Sequence, residues 1–399
     1  MTERKQSFWY TALMVAPFVW SILMITQYKD ILHLDIVCMA VLSGALIYYL
    51  FNRKNVRNSD IYSSLKVFAL FCAYMCVISI STNNFFYAFQ TVLVLSATFS
   101  FSFAGYDFKK YSVMGYLYAL ISFLLVFDFS RGGFTSGVNT NTISLFAING
   151  VMYMCLINDM QNNRHIVPNG IIIAVILVFI SKTGCRSVYI AFVVYLLLRY
   201  VVFSKKNINK YFFRSICAVS MCMPYILMRI YLGLYNSPYK DDLNKFFFEH
   251  TGKILFTERE LVWKYVFSLL NGVKYWFGYG TRCANAHNLL VDVWYCYGLI
   301  GVIAYVSVFL YIIYKLYKHF DDSIIKSSVC CFLGIVVSET FECFSFALAV
   351  ESFNIMLYLF LAIAIGRYIH LENINKVGAP RMTGKTDFVM NTDKFPSEI

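Results

Sequence analysis

The sequence predicts an all-α, polytopic integral membrane protein with about twelve transmembrane helices. Of its 399 residues, 59% are hydrophobic and only 14% are charged, whereas roughly 25% of the residues in a soluble domain are charged. Apolar runs of about 20 residues, the length that crosses the core of a bilayer, recur from end to end of the chain. The first run is too long and too aromatic for a cleaved signal peptide, so we expect it to be a membrane span.

The predicted spans are joined by short connections, apart from one long polar loop. Their ranges are 8–26, 31–51, 61–80, 85–105, 111–127, 138–157, 166–181, 188–203, 212–232, 288–316, 324–344 and 350–368. The span at 166–181 is short and has Pro168 in its first turn. We therefore expect residues 1–370 to form one membrane domain, including the loop at 233–286, and residues 371–399 to form a polar, flexible tail.

Basic residues set the predicted orientation. If the amino terminus is cytoplasmic and the spans alternate, the short basic loops fall on the cytoplasmic side, as the positive-inside rule requires. These loops carry Arg53-Lys54, Lys109-Lys110, Arg164, Lys205-Lys206, and Lys315 with Lys318. The even number of spans places both termini in the cytoplasm and loop 233–286 outside. The net charge of +12 then reflects topology and contact with anionic membrane lipids, and it does not indicate nucleic-acid binding.

Several basic residues break this rule and lie on the predicted outer side. Arg131 follows the fifth span, Lys182 and Arg186 lie between two later spans, and loop 233–286 contains further lysines and arginines. A single such side chain most often extends to lipid headgroups. A set that gathers on one face instead predicts a binding site for an anion. The candidates for this site are Arg131, Arg186, Arg259 and Arg282.

Within the long loop, the sequence Thr-Glu-Arg-Glu at 257–260 has the pattern of a capping box. In this motif the threonine caps a helix and the last glutamate reaches back to it. Apolar residues continue at helical spacing over 261–270, which predicts an amphipathic helix that lies on the membrane surface or under the loop. Arg259 would lie in the first turn beside free backbone N–H groups, an arrangement that suits phosphate or pyrophosphate. The alternative is an ion pair between Arg259 and Glu258 or another acid of the loop.

His287 and Asn288 open the span that follows the long loop. Polar side chains at the start of a membrane helix are costly to desolvate, so they call for a specific role. An imidazole can accept a proton from a sugar hydroxyl near neutral pH, and Asn288 is a candidate for an additional substrate contact. The alternative is that His287 only anchors the helix start through a hydrogen bond to Asn285 or to a carbonyl of the loop.

At these residues the chain resembles the bacterial O-antigen polymerase and O-antigen ligase superfamily of membrane glycosyltransferases. The resemblance covers roughly the second half of the chain, and the first half is similar only in its pattern of spans. It is carried by Ser181-Lys182-Thr183-Gly184-Cys185-Arg186-Ser187, by Glu258-Arg259 with Trp263, by Trp276-Phe277-Gly278-Tyr279-Gly280, and by His287-Asn288 with Gly298-Leu299-Ile300-Gly301. One departure is Cys185, which stands where the family has serine, while the adjacent arginine is intact.

The resemblance implies a GT-C-like helical fold and a donor made of glycan on undecaprenyl pyrophosphate, used at the periplasmic face of the inner membrane. Arg186 and Arg259 would match the family's pyrophosphate-binding arginines, and His287 its proposed catalytic histidine. Fixed guanidinium groups can stabilise a pyrophosphate leaving group. We expect no metal and no cofactor, because the sequence has no acidic metal cage near the loop, no nucleotide-binding glycine loop and no zinc pattern.

The function expected from this resemblance is polymerisation of O-antigen: transfer of a growing glycan from its lipid pyrophosphate onto the next lipid-linked repeat unit. The alternative is a ligase that transfers the finished glycan to lipid A–core, and the two share donor chemistry. A third possibility is a glycan flippase or other transporter, which the gathering of charges on one face disfavours. Expected partners are a chain-length regulator and a flippase of the same pathway, together with membrane lipids.

Overall fold

The computed structural model describes residues 60–104, 111–133, 140–161, 165–252, 254–281, 286–341 and 353–378, together with positions 41, 44 and 47. Every regular element in these residues is helical, and they contain thirteen α-helices, one π-helical segment and one short 3-10 helix. The all-α prediction is therefore confirmed for this part of the chain.

The helices follow one another in chain order with short connections. They are α1 (Tyr62–Ser81), α2 (Phe85–Ala104), α3 (Tyr111–Ser130), α4 (Thr140–Met160), α5 (Ile166–Thr183), α6 (Ser187–Leu196), α7 (Lys210–Tyr235), α8 (Lys240–Thr251), α9 (Arg259–Leu269), α10 (Gly272–Phe277), α11 (Leu289–Leu316), α12 (Ser323–Ser338) and α13 (Phe353–Gly378). The π-helical segment Leu197–Val202 continues α6, and the 3-10 helix Tyr317–His319 continues α11.

Six of these helices are long and apolar enough to cross a membrane, as judged by length and composition. The six segments are Tyr62–Ser81, Ile143–Met160, Ile166–Thr183, Lys210–Tyr235, Leu289–His319 and Leu357–Ile374, and four shorter apolar helices accompany them. Each predicted span from residue 61 onward coincides with one helix, although α12 ends earlier and α13 later than predicted. The predicted spans at 8–26 and 31–51 lie outside the described residues, apart from positions 41, 44 and 47, as does the tail beyond 378.

The centre of the bundle is formed by α4 and α12, whose side chains are almost all buried. Helix α12 packs against α4, α6, α7 and α13. Small residues allow this close packing: a methyl group added at Gly334 would lie 2.7 Å from the carbonyl oxygen of Ala191 in α6. By contrast, buried residues are a minority in α1 and α5, as they are in lipid-facing helices. The apolar outer surface and the buried centre are consistent with an α-helical membrane protein.

Helix α11 is interrupted at Gly298, and the segment after α10 packs against the interruption. Gly298 has φ 68° and ψ −175°, a conformation that is essentially restricted to glycine. The break frees the carbonyls of Tyr295 and Cys296, which accept the N–H groups of Tyr279 and Gly280 at 2.8 Å each. The segment after α10 therefore pairs with α11 backbone to backbone, which explains why both segments are rich in glycine.

The predicted polar loop at 233–286 contains three helices, α8, α9 and α10. The amphipathic helix predicted after residue 258 is confirmed as α9. The predicted capping box is wrong: the cap residue is Glu258, in the left-handed conformation at φ 68°, and no side chain caps the helix. The glutamate that was expected to reach back, Glu260, is instead fully buried.

Candidate functional site

Arg186, Arg259 and His287 line one cavity of about 680 Å³, which we call the His287 cavity. They come from three separate segments: the α5–α6 turn, the start of α9 and the residues before α11. The cavity therefore brings together the two arginines and the histidine that the sequence singles out. Its walls are completed by the first residues of α4, the last turn of α7 and Phe341 after α12.

The turn between α5 and α6 presents Arg186. Gly184 ends α5 in the left-handed conformation at φ 67°, and its N–H reaches the carbonyl of Ser181 at 3.2 Å. Helices often end on a glycine in this conformation because it has no Cβ to clash. Arg186 then precedes the first residue of α6, and its Nη2 donates to the carbonyl of Ile254 at 3.3 Å. This bond ties the turn to the loop that leads into α9.

Arg259 is the first residue of α9 and is half-buried. The carbonyl of Glu258 accepts the N–H groups of Leu261 and Val262, at 3.1 and 3.3 Å, and so begins the helix. Both cavity arginines thus lie at the start of a helix, where backbone N–H groups and the helix dipole favour an anion. Two guanidinium groups and two helix starts on one cavity are suited to a multiply charged phosphate group.

Helix α9 also fixes the position of His287. One turn after Arg259, Trp263 is fully buried, and its indole N–H donates to the carbonyl of Ala286 at 2.6 Å. Ala286 directly precedes His287, whose own backbone is in the left-handed conformation at φ 51°. A left-handed residue other than glycine costs about 1–3 kcal/mol and persists only where its surroundings hold it. The same short helix therefore places both a cationic group and the imidazole.

Asn288 anchors the histidine that precedes it. Its Oδ1 accepts the N–H groups of Leu290 and Val291 at 3.1 Å each and so caps α11. Its Nδ2 donates to the carbonyls of Pro224 at 2.9 Å and Thr340 at 3.1 Å. These four bonds use the whole hydrogen-bonding capacity of an amide, and the side chain is fully buried. In this conformation Asn288 holds the helix start, and its contact with substrate stays a prediction that this geometry does not favour.

Two other candidates do not join the cavity lining. Arg131 lies just beyond α3, with its guanidinium 5.5 Å from the centre of the Phe127 ring, and it is exposed. It is not among the residues that line the His287 cavity. Arg282 lies outside the described residues, as does Asn285. The structure thus unites Arg186, Arg259 and His287 and leaves Arg131 apart.

The cavity is also lined by residues that the sequence analysis did not predict. Thr140 and Asn141 open α4 at the cavity, and Tyr231 closes it from α7. The Tyr231 ring contacts Phe256, with ring centres 5.0 Å apart, and Phe341, at 5.7 Å. In the sequence, these residues are distinguished only by their positions: Thr140 and Asn141 are polar residues near the start of a span, and Tyr231 is an aromatic residue near the end of another.

The buried carboxyl group of Glu260 lies behind the cavity wall. Glu260 and Arg259 each interact electrostatically with the hydroxyl of Tyr231, which lines the cavity. A buried carboxyl group beside a cationic residue balances part of its charge. The lining of the His287 cavity therefore combines two arginines with the carboxylate of Glu258, and a second acidic group, Glu260, is buried next to Arg259.

No protein-family model matches this chain, and no curated protein matches it either. The resemblance to the O-antigen polymerase and ligase superfamily therefore rests on the sequence motifs alone. Three of the motifs contribute Arg186, Arg259 and His287 to one cavity. The fourth, at 276–280, pairs through the backbone of Tyr279 and Gly280 with Tyr295 and Cys296 of α11.

Proposed function

We propose that this protein is a metal-independent membrane glycosyltransferase that joins undecaprenyl-pyrophosphate-linked repeat units, as an O-antigen polymerase. The observation that carries the proposal is the meeting of Arg186, Arg259 and His287 in one cavity. These residues supply the two functions that such a transfer needs, a binding site for pyrophosphate and a base for the acceptor hydroxyl.

In the proposed reaction, the donor pyrophosphate lies between the guanidinium groups of Arg186 and Arg259. An acceptor hydroxyl oxygen attacks the anomeric carbon of the donor sugar, and the bond from that carbon to the pyrophosphate oxygen breaks. His287 takes the proton of the acceptor hydroxyl as the new glycosidic bond forms. The two arginines stabilise the charge that develops on the departing undecaprenyl pyrophosphate.

The dimensions and lining of the cavity support this assignment. A cavity of about 680 Å³ falls within the range of roughly 300–1,000 Å³ that is usual for ligand sites. Tyr231, Phe247 and Phe341 give it an aromatic wall beside the polar groups. Such a wall offers apolar contact to a sugar ring, while the arginines and the histidine hold its charged and reactive ends.

We further propose a GT-C-like arrangement of about twelve spans in the bacterial inner membrane, with both termini cytoplasmic and the His287 cavity open to the periplasm. The support is that the lining residues come from helix ends that the charge pattern assigns to the outer side. Labelling of single cysteines tests this orientation in a background without native cysteines. Lys245→Cys should react with an impermeant maleimide in intact spheroplasts, and Lys206→Cys only after permeabilisation. The reverse pattern would overturn it.

A reconstituted assay tests the activity. Purified protein in vesicles is supplied with undecaprenyl-pyrophosphate repeat units, with or without lipid A–core. Lipid-linked dimers and longer products support polymerisation, whereas product only on lipid A–core assigns the ligase activity instead. Folded protein that makes neither product, but moves the lipid-linked glycan across the bilayer, would favour a flippase. Addition of a chain-length regulator should change product length without being required for bond formation.

A further inference from the structure

A second cavity, of about 600 Å³, lies at the other end of the bundle. We call it the Lys315 cavity. It is formed by the start of α7, the end of α11 with the 3-10 helix that follows, one residue of α13, and Asp60, which lies two positions before α1. Its lining holds Lys210, Arg214, Lys315 and Lys318 but only one carboxylate, Asp60. Four cationic residues against one acid give the cavity a strong positive charge.

The two cavities lie at opposite ends of α11. His287 lies just before α11 and Lys315 lies near its end, 28 residues later. At a rise of about 1.5 Å per residue, this distance along the chain corresponds to at most about 42 Å. A bilayer with its headgroup regions measures about 40–45 Å. If the His287 cavity opens at one membrane surface, the Lys315 cavity lies at the headgroup level of the other.

Lys318 forms ion pairs within the protein. Its Nζ lies 2.9 Å from a carboxylate oxygen of Glu372 and 3.6 Å from one of Asp60. Lys210, Arg214 and Lys315 have no carboxylate within ion-pair distance in the part of the chain that the structure describes. Three cations of the cavity thus remain available to an external anion.

Two of these cations are held in place by tyrosine rings. The guanidinium of Arg214 lies 5.3 Å from the centre of the Tyr314 ring, and Nζ of Lys315 lies 5.5 Å from that of Tyr311. The rings are themselves fixed, since the Tyr314 hydroxyl donates to the carbonyl of Arg214 at 3.1 Å. The Tyr311 hydroxyl hydrogen-bonds the hydroxyl of Ser63 at 3.2 Å. Stacking on an aromatic face keeps a cation charged and oriented without neutralising it.

We propose that the Lys315 cavity binds the phosphate-bearing headgroup of an anionic phospholipid. Basic pockets between membrane helices are suited to such headgroups, and tyrosine side chains, with an apolar ring and a polar end, favour the membrane interface. This site is separate from the proposed transferase site and does not depend on it.

The proposal is tested by native mass spectrometry of the full-length protein after delipidation in detergent. Dioleoylphosphatidylglycerol is titrated against the wild type and against Arg214→Gln/Lys315→Gln. A basic residue at a membrane surface contributes enough that losing two should weaken binding about 10- to 30-fold. The matched control is Lys205→Gln/Lys206→Gln, which removes the same charge from exposed residues that do not line the cavity. Its affinity should stay within about twofold of the wild type.

Three results would overturn the proposal: equal affinity of the wild type and the cavity variant, equal binding of dioleoylphosphatidylcholine, or displacement of the lipid by inorganic phosphate at the same concentration as the lipid. The last result would identify a site for a soluble phosphate compound. If the double variant does not fold, Lys210→Gln serves instead, because this residue is exposed. It should bind the lipid about 3- to 5-fold more weakly than the wild type.

Discussion

Two pairs of arginines in this molecule are held in different ways. At the end of the Lys315 cavity, Arg199 bonds Asp159 through two nitrogens, at 2.9 and 3.2 Å. Arg367 at the same end donates to Asp322 at 2.9 Å. At the opposite end, the arginines singled out by the sequence line the His287 cavity. One set of cations joins helix to helix, and the other set is placed where a ligand can reach it.

This difference separates two effects that a loss of activity alone would mix. A cation closed into an ion pair contributes to folding, and its loss leaves a buried carboxylate without compensation. A cation that lines a cavity can also contribute to the binding of a ligand there, and its loss should lower activity more than stability. Variants of the two sets should therefore change different measurements: stability for the ion-paired Arg199 and Arg367, and turnover per folded molecule for the cavity residues Arg186 and Arg259.

The largest effect is expected at His287. His287→Ala should lower the rate of transfer by about 100- to 10,000-fold, because the acceptor hydroxyl loses its base. Melting temperature and donor binding should stay near wild type. Turnover of purified enzyme with lipid-pyrophosphate donor is the measurement. His250→Ala is the control, since this histidine is exposed, stacks on Phe246 and does not line the cavity.

His287→Asn separates catalysis from anchoring. An amide can replace a hydrogen bond at the start of α11 but cannot act as a base near neutral pH. We expect the asparagine variant to be as inactive as the alanine variant. Near-wild-type turnover by His287→Asn would assign His287 a purely structural role and leave the proposed reaction without its base.

The next largest effect is expected at the opposite end. Arg199→Gln should destabilise the fold by about 3–5 kcal/mol, because it leaves Asp159 buried without its partner. Asp159 has only 3% of its side chain exposed. The thermal midpoint in detergent is the measurement, with turnover normalised to folded protein as the contrast. Arg199→Gln/Asp159→Asn should recover most of the lost stability. If Arg199→Gln were stable but had low turnover, the ion-paired arginines and the cavity arginines would not differ in the way that we infer.

The charge pattern of the sequence predicts on which end each cation lies, but it does not predict its partner. Arg199 and Asp159 are forty residues apart, and neither lies in a recognisable pattern. Their pairing requires α4 and α6 to pack in one particular register, and that register depends on the whole buried centre. Hydropathy, in contrast, is a local property of about 20 residues, which is why the helices agree with the predicted spans.

The same distinction between local features and packing applies to the candidate site. Arg186, Arg259 and His287 could be selected from their positions at span ends, because an isolated charge or polar group there needs a reason. Tyr231 and Thr140 could not, since only the packing of α7 and α4 brings them to the cavity. The capping-box pattern at 257–260 was misleading for the same reason. Glu260 is drawn into the interior by the burial of α9, so it does not reach back to the helix start.

The cavity arginines should show a smaller effect than His287. Arg186→Lys and Arg259→Lys each keep the positive charge but lose the planar, two-pronged donor that matches phosphate. A hydrogen bond to a charged group contributes about 1.5–3 kcal/mol, so we expect kcat/KM to fall about 10- to 100-fold. Arg131→Lys is the control, because Arg131 is exposed outside the cavity. Equal activity of all three lysine variants would remove the pyrophosphate role.

The smallest effect concerns the residue that links the two parts of the site. Trp263→Phe keeps the aromatic packing of α9 but removes the hydrogen bond to Ala286, beside His287. The loss of one such bond, about 0.5–1.5 kcal/mol, should lower kcat about 2- to 10-fold and leave KM for the donor nearly unchanged. Trp276→Phe is the control, since Trp276 is half exposed and outside the cavity. A change in KM alone would mean that Trp263 supports Arg259 and not the histidine.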